Sequence, residues 1–328
     1  MSTRRRVSWR AALAALALGL AGATPGAWAA QYALLVGVND VAALPQRLWL
    51  RGPANDVTLM RQALLARGVP APHITVLAQK VPGAAGPPSF AAITTAMATL
   101  LETVRSGDTV VLHLAGHGAQ LPAPGNGEPD GLDEVFLTAD VQPWDASTGR
   151  LPQALRDKDI GAWIDSLVDR GARVWAVFDT CHAAGMARSG ASQRWRSVAG
   201  AELGVPAALA PAQSLLLPSS RPSSQKTTPR REKEMAGTPP PPAATRQDGR
   251  VLAYAARAHE ATGEEWLPKG AGLARARMHG VFSHAVAQAL LQGVADAAAL
   301  REALRRHYQQ EGRLAPTPQV LGEGWLAR

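Results

Sequence analysis

The 328-residue chain carries 34 lysines and arginines against 26 acids, a formal charge of +8, and a single cysteine. Four arginines in the first ten residues, and nine bases against four acids between residues 190 and 250, account for that charge and leave about −1 elsewhere, which excludes a nucleic-acid groove. One cysteine excludes an internal disulfide, while roughly 300 residues beyond the N-terminal segment are enough to bury a substantial core.

The N-terminus reads as a secretory signal. Arg4, Arg5 and Arg6 precede an apolar run over 11–23, and Ala27-Trp28-Ala29 sets small residues at the two positions a signal peptidase reads. That run is too short for a membrane span. Residues 1–29 are therefore expected to be removed, leaving a periplasmic or secreted chain from about Ala30 with no stable membrane association; the export route stays open between the general and twin-arginine pathways.

An apolar run at 32–38 predicts a strand ended by Asn39 and Asp40. Gly52-Pro53-Ala54-Asn55-Asp56 then opens a helix over 56–66, with Val57, Met60, Leu64 and Leu65 on one face and the acid where the helix dipole favours it. A strand over 73–77 follows, and beyond a Pro/Gly loop Ser89 reads as the N-cap of a helix reaching 104. The run Thr109-Val110-Val111-Leu112-His113-Leu114 is a further strand and leads into Ala115-Gly116-His117-Gly118. A loop with Gly125, Gly127 and Gly131 carries Glu128, Asp130, Asp133 and Glu134, before a strand at 135–137 and a helix over 157–167. Next comes a short run from Arg173 to Phe178, rich in Val and aromatics, which ends in Asp179-Thr180-Cys181-His182. Strands alternating with helices predict a parallel sheet with right-handed crossovers, the α/β class.

Composition changes over 189–248, where proline, serine and basic residues leave too little apolar pattern to pack. This segment is expected to be a disordered linker between a large part at 30–188 and a small part at 249–328. In the small part, 251–256 predicts a strand, Met278-His279-Gly280-Val281 opens a helix to 291, a last helix covers 297–308, and 318–321 forms an edge strand. The small part completes the same sheet.

Ligands of open α/β sheets bind beyond the carboxyl ends of the strands, which is where Cys181 stands. A free cysteine is ordinarily a small buried apolar residue; as a nucleophile it needs a neighbouring base. His117 repeats its placement after the strand at 109–114, and the two meet if those strands are neighbours. Glycines beside His117 suit a turn whose backbone N–H groups approach a substrate carbonyl. The other seven histidines fit structural or surface roles, with His113 facing either side of its strand and His182 lying beside the cysteine.

The residues in this order, Tyr32-Ala33-Leu34-Leu35-Val36-Gly37-Val38, Gly52-Pro53-Ala54-Asn55-Asp56-Val57, Leu114-Ala115-Gly116-His117-Gly118, Asp130-Gly131-Leu132-Asp133-Glu134, Asp179-Thr180-Cys181-His182 and Val281-Phe282-Ser283-His284, resemble the caspase-like cysteine peptidases, and among them bacterial metacaspase-type proteins of peptidase family C14. The resemblance runs from about 32 to 322, interrupted by the linker. It implies a caspase-like (caspase-hemoglobinase) fold, a mostly parallel sheet flanked by helices on both faces. It further implies a cysteine endopeptidase with Cys181 as nucleophile and His117 as general base, an oxyanion hole from the N–H groups of Gly118 and Cys181, and Asp56 and Asp179 selecting Arg or Lys on the acyl side of the cleaved bond. The partner would be a protein or peptide substrate with a basic residue there. Outside the resemblance, the two acids could equally be a helix-start acid and a strand-end acid. Ala115 and the pair Ala183-Ala184 replace small residues usual in the family, a change of shape that spares the dyad. No cofactor is expected; for calcium, Asp133 and Asp157 match two of the acids some metacaspases use, whereas Lys158 and Arg188 stand where others belong. In the linker, Arg221, Lys226, Arg230, Arg231 and Lys233 are either self-cleavage sites or ordinary solubilising charges. A catalytically silent caspase-like module for binding or assembly is the alternative function, and oligomeric state is open.

Overall fold

The structure is a computed structural model that describes residues 29–123, 131–181, 194–209, 249–257, 260–272, 274–324 and 326. The signal sequence, the glycines and acids at 125–130, His182, Arg188 and the five basic linker residues named above lie outside the described residues.

In chain order the elements are β1 (Gln31–Gly37), α1 (Pro53–Ala66), β2 (Ile74–Ala78), α2 (Phe90–Thr103), β3 (Thr109–Ala115), β4 (Gly118–Pro122), β5 (Leu132–Leu137), β6 (Ala154–Arg156), α3 (Asp157–Asp169), β7 (Arg173–Asp179), β8 (Arg194–Trp195), β9 (Arg250–Tyr254), β10 (Gly263–Leu267), β11 (Arg277–Gly280), α4 (Val281–Leu291), α5 (Ala297–Gln310) and β12 (Gln319–Gly322). The main sheet has the order β12-β9-β7-β3-β1-β2. Five of its strands run parallel, and β12 closes one edge antiparallel to β9. This is the caspase-like α/β arrangement, with the small part supplying β9 and β12.

Period-two alternation sorts the strands' side chains onto two faces. Leu34, Val36, Val110, Leu112, Val174 and Ala176 pack toward α2 and α3, whereas Ala33, Leu35, Val111, Trp175 and Val177 pack toward α1, α4 and α5. His113 follows Val111 onto the second face, where its Nε2 lies 2.9 Å from the Ser283 hydroxyl of α4.

Three local expectations change. α1 begins at Pro53, because proline suits a helix's first position, where its missing N–H costs nothing. The helix expected from Met278 begins at Val281, since Arg277–Gly280 pair with β10 instead. Within the segment expected as linker, residues 194–209 are ordered: β8 pairs with β10, and Val198, Leu203 and Val205 are buried in the core beside α2 and α3. Three apolar side chains at irregular spacing escape a periodicity test and still anchor this stretch.

Candidate active site

β3 and β7 are neighbours in the sheet, with Ala115 paired to Asp179. His117 and Cys181 each lie two residues beyond that pair, at the same end of adjacent strands, and both are buried at 1% exposure. Gly118 follows, and a Cβ there would collide with the Cys181 carbonyl and the Thr180 hydroxyl. Only glycine lets the two turns approach this closely.

His117 is oriented from behind. Its Nε2 lies 2.6 Å from the carbonyl oxygen of Leu48, which ends a short 3-10 turn at Gln46–Leu48. A carbonyl only accepts, so Nε2 carries the proton and Nδ1 is left as the basic nitrogen. That Nδ1 is buried with no hydrogen-bond partner among the described residues. Burial pulls the imidazole down to about 4, against the opposing effect of the Leu48 carbonyl. Cys181 is held separately: its sulfur accepts from the Thr262 N–H and lies 3.6 Å from the Thr262 carbonyl. Burial pushes this thiol up to about 12. The pair at rest is a thiol and a neutral imidazole.

Asp56 and Asp179 converge on the start of α4. The Asp56 carboxylate accepts from the Gly280 N–H and from His279, and Asp179 accepts from the Ser283 N–H at 2.8 Å. Helix N-terminal N–H groups satisfy and fix anionic oxygens in this way. Between the two acids, fully buried, lies Arg196. Its guanidinium pairs with Asp56, with Asp179 at 3.2 Å and with Glu264 at 3.4 Å. Glu264 is braced by the backbone N–H groups of Arg51 and Gly52, at 2.9 and 2.7 Å. A Cβ on Gly280 would fall on the Asp179 carboxylate and the Arg196 guanidinium, so the pocket exists because residue 280 has no side chain.

Three carboxylates share one cation, and their acidities separate accordingly. Burial would raise Asp56, but the Arg196 charge and the His279 contact outweigh it and hold it low. Burial prevails at Asp179 and Glu264, whose carboxyls are raised despite Arg196. The guanidinium itself is held charged by the three acids against burial.

The backbone of Arg196 is placed as distinctively as its side chain. Its carbonyl oxygen accepts from the N–H of Gly118 at 2.9 Å and of Cys181 at 3.4 Å, and its N–H donates to the Thr262 carbonyl at 2.9 Å. β8, just before it, pairs antiparallel with β10.

Residues 31–188 match the family described as metacaspase, peptidase C14 domain. Over these residues, just under half of its length, the chain is similar to metacaspase-type peptidase C14 domains. It is 32% identical to Metacaspase-4 of Arabidopsis thaliana over 156 residues, 47% of this chain and 34% of that protein. It is 31% identical to Metacaspase-1 of Mycosarcoma maydis over 150 residues, 46% of this chain and 35% of that protein. The chain thus spans about a third of the length of these curated relatives. In fold it is similar to the crystal structure of protein GSU0716 from Geobacter sulfurreducens, at a TM-score of 0.53 and 17% identity, over 91% of this chain and 94% of that one.

The metacaspase resemblance points calcium toward Asp133 and Asp157, and the side chains present do not fit it. The Lys158 ammonium lies 2.9 Å from Asp133 and supplies a cation of the chain's own. Among the described residues no group of three or more His, Cys, Asp or Glu side chains is arranged to hold a metal ion.

All five residues singled out by sequence, Asp56, His117, Gly118, Asp179 and Cys181, meet at this end of the main sheet. Leu48, Thr262, Glu264, Gly280 and above all Arg196 were not singled out. Leu48 and Thr262 act through backbone atoms, which leave no mark on residue type. Glu264 stood between the strand expected at 251–256 and the helix expected from Met278, where no element was predicted, and Arg196 in a segment read as linker.

Proposed function

We propose that this chain is an exported cysteine endopeptidase that cleaves protein or peptide substrates after Arg or Lys. The observation that carries this is the pose of Arg196, whose carbonyl oxygen meets the N–H groups of Gly118 and Cys181 while its guanidinium lies on Asp56, Asp179 and Glu264. It is the pose required of the residue on the acyl side of a scissile bond. The carbonyl is held by donors that would stabilise a developing oxyanion, and the side chain is recognised by opposite charge.

In this scheme His117 Nδ1 takes the Cys181 proton, and the thiolate adds to the substrate carbonyl carbon. The negative oxygen is held by the two N–H groups, and collapse expels the amine, which takes its proton from His117. Water then hydrolyses the thioester with His117 acting again as base. Leu48 keeps the imidazole in the tautomer this requires. Lysine fits the same acids as a point charge and arginine as a fork, so both are accepted, and arginine better.

Export rests on the N-terminal signal; a mature N-terminus at or near Ala30 in material recovered outside the cytoplasm tests it. The activity is tested with fluorogenic peptides ending in Arg, Lys or Asp, under reducing conditions and with and without calcium. Turnover confined to Arg and Lys is expected. Turnover after Asp contradicts the roles given to Asp56 and Asp179, and turnover of nothing in a folded chain moves the protein to the silent binding class.

A further inference from the structure

We infer that His279 is a positioning residue of the acid pocket: its ring N–H holds the Asp56 carboxylate aimed at an incoming basic side chain, and so sets the preference for that charge. The inference rests on the endopeptidase reading above and adds to it a residue outside both the dyad and the acids.

Asp56 is buried at 1% exposure, and its two oxygens have different tasks. Oδ2 meets the Arg196 guanidinium, which marks where a basic side chain lies in the pocket. Oδ1 lies 2.9 Å from His279 Nδ1. An ionised carboxylate only accepts, so Nδ1 carries the proton and donates. The Gly280 N–H lies 3.1 Å from each oxygen and by itself favours neither. The His279 bond is therefore what distinguishes the two oxygens and leaves Oδ2 for the cation.

His279 is itself fixed. It stands in β11 opposite Glu265 of β10. The residue before it is tied to α1, where the Asn55 amide donates to the Met278 carbonyl at 2.9 Å. Because α1 delivers Asp56 and β11 delivers His279, this one clamp fixes both partners. The ring of His284, in the first turn of α4, packs against that of His279 at 5.3 Å between centroids. His279 is 7% exposed, and a hydrogen bond to a charged group so far from water is a strong one.

The acid needs this support because of its company. Asp56, Asp179 and Glu264 share the pocket, and like charges out of water favour protonation. Burial works to neutralise Asp56, and Arg196 and His279 oppose it. Arg196 stands in the place of a substrate's basic side chain, so His279 is the opposing group that stays when the occupant changes. A site aimed and charged beforehand binds more tightly, because less ordering remains to be done on binding. Without the donor, Oδ1 keeps only a shared backbone N–H, and the carboxylate is free to rotate or to take a proton before a cation arrives.

The test compares kcat/KM of the full chain, under reducing conditions, for two matched fluorogenic peptides ending in arginine and in citrulline, its uncharged isostere. His279→Phe keeps a ring beside His284 and removes the donor. It should lower kcat/KM for the arginine peptide at least about tenfold, chiefly through KM, as expected for a lost hydrogen bond to a charged group. The citrulline peptide should lose less than about twofold. His279→Asn sets an amide N–H where Nδ1 stands, and should keep the parent's arginine-to-citrulline ratio within about threefold. If His279→Phe does not fold, His279→Gln, whose amide nitrogen reaches the Nε2 position instead, takes its place with the same expectation. Equal losses on both peptides in the folded variant, an undiminished ratio there, or a ratio lost in His279→Asn overturns the inference and leaves the endopeptidase reading standing. A folded parent chain that hydrolyses neither peptide sinks that reading, and the inference with it.

Discussion

β10 has a different kind of neighbour on each edge. On one side β11 pairs with it along four residues and runs directly into α4, so this pairing is part of the fold. On the other side β8 pairs at only two residues, and its main attachment is the side chain after it, Arg196, buried among Asp56, Asp179 and Glu264. A two-residue ladder adds little stability, whereas a buried guanidinium shared by three acids is costly to displace without a replacement cation. One edge is architecture; the other is a slot that recognises a basic residue through charge and its backbone through hydrogen bonds.

Removing the chemistry while leaving the slot filled should have the largest effect. Cys181→Ala is expected to lower kcat/KM for Arg-ending peptides by at least about a thousandfold, with β8 still in place and little change in Tm. A large fall in Tm would mean that the thiol's contact with Thr262 holds the slot together.

Asp179→Asn removes one charge from the pocket. The kcat/KM for Arg and Lys peptides should fall by about a hundredfold, with smaller loss for an uncharged residue at that position. In the intact chain the same change weakens the hold on Arg196, so Cys181 should react faster with iodoacetamide. Equal losses for charged and uncharged peptides would assign Asp179 to the α4 N-terminus alone, through Ser283.

Glu264→Gln should cost less, about tenfold on the same peptides. Glu264 is farther from the guanidinium, at 3.4 Å, and an amide oxygen can still accept from the Arg51 or Gly52 N–H. A loss as large as that of Asp179→Asn would make Glu264 an equal partner in recognition.

The smallest effect concerns pH and stability. His117, His113 and His284 are held near 4 by burial, whereas in the unfolded chain they titrate near 6.5. As pH falls from about 6.5 to about 4, the unfolded state binds more protons, so stability declines through that window. Tm measured across it should drop, and His284→Gln should flatten part of the decline. A Tm constant from pH 6.5 to 4 would contradict the neutral, buried state of these rings.

The slot and the fold were unequally legible in the sequence. β3 and β7 are short, continuously apolar runs whose parallel direction follows from the α/β alternation, so His117 and Cys181 are expected to meet if the strands are neighbours, and the sheet order makes them neighbours. Asp56 and Asp179 stood at a helix start and a strand end, where type and position both carry information. Arg196 gave no such sign. β8 is two residues long, its apolar anchors at 198, 203 and 205 have no period, and its partner strand lies 68 residues on. Its meaning depends on a three-dimensional edge that local pattern cannot encode. The same holds for Gly280, whose lack of a side chain matters only once the guanidinium it faces is known.

The most direct measurement of the central claim, that the pocket around Arg196 selects the residue presented to Cys181, is the labelling rate of this thiol by peptidyl halomethyl ketones. Matched reagents ending in arginine and in aspartate would be compared on the full chain under reducing conditions, with the modified residue located by mass spectrometry. Labelling at Cys181 at least about tenfold faster by the arginyl reagent, and slowed by excess Arg peptide, is the predicted result. Equal rates for the two reagents, or faster labelling by the aspartyl one, would contradict it.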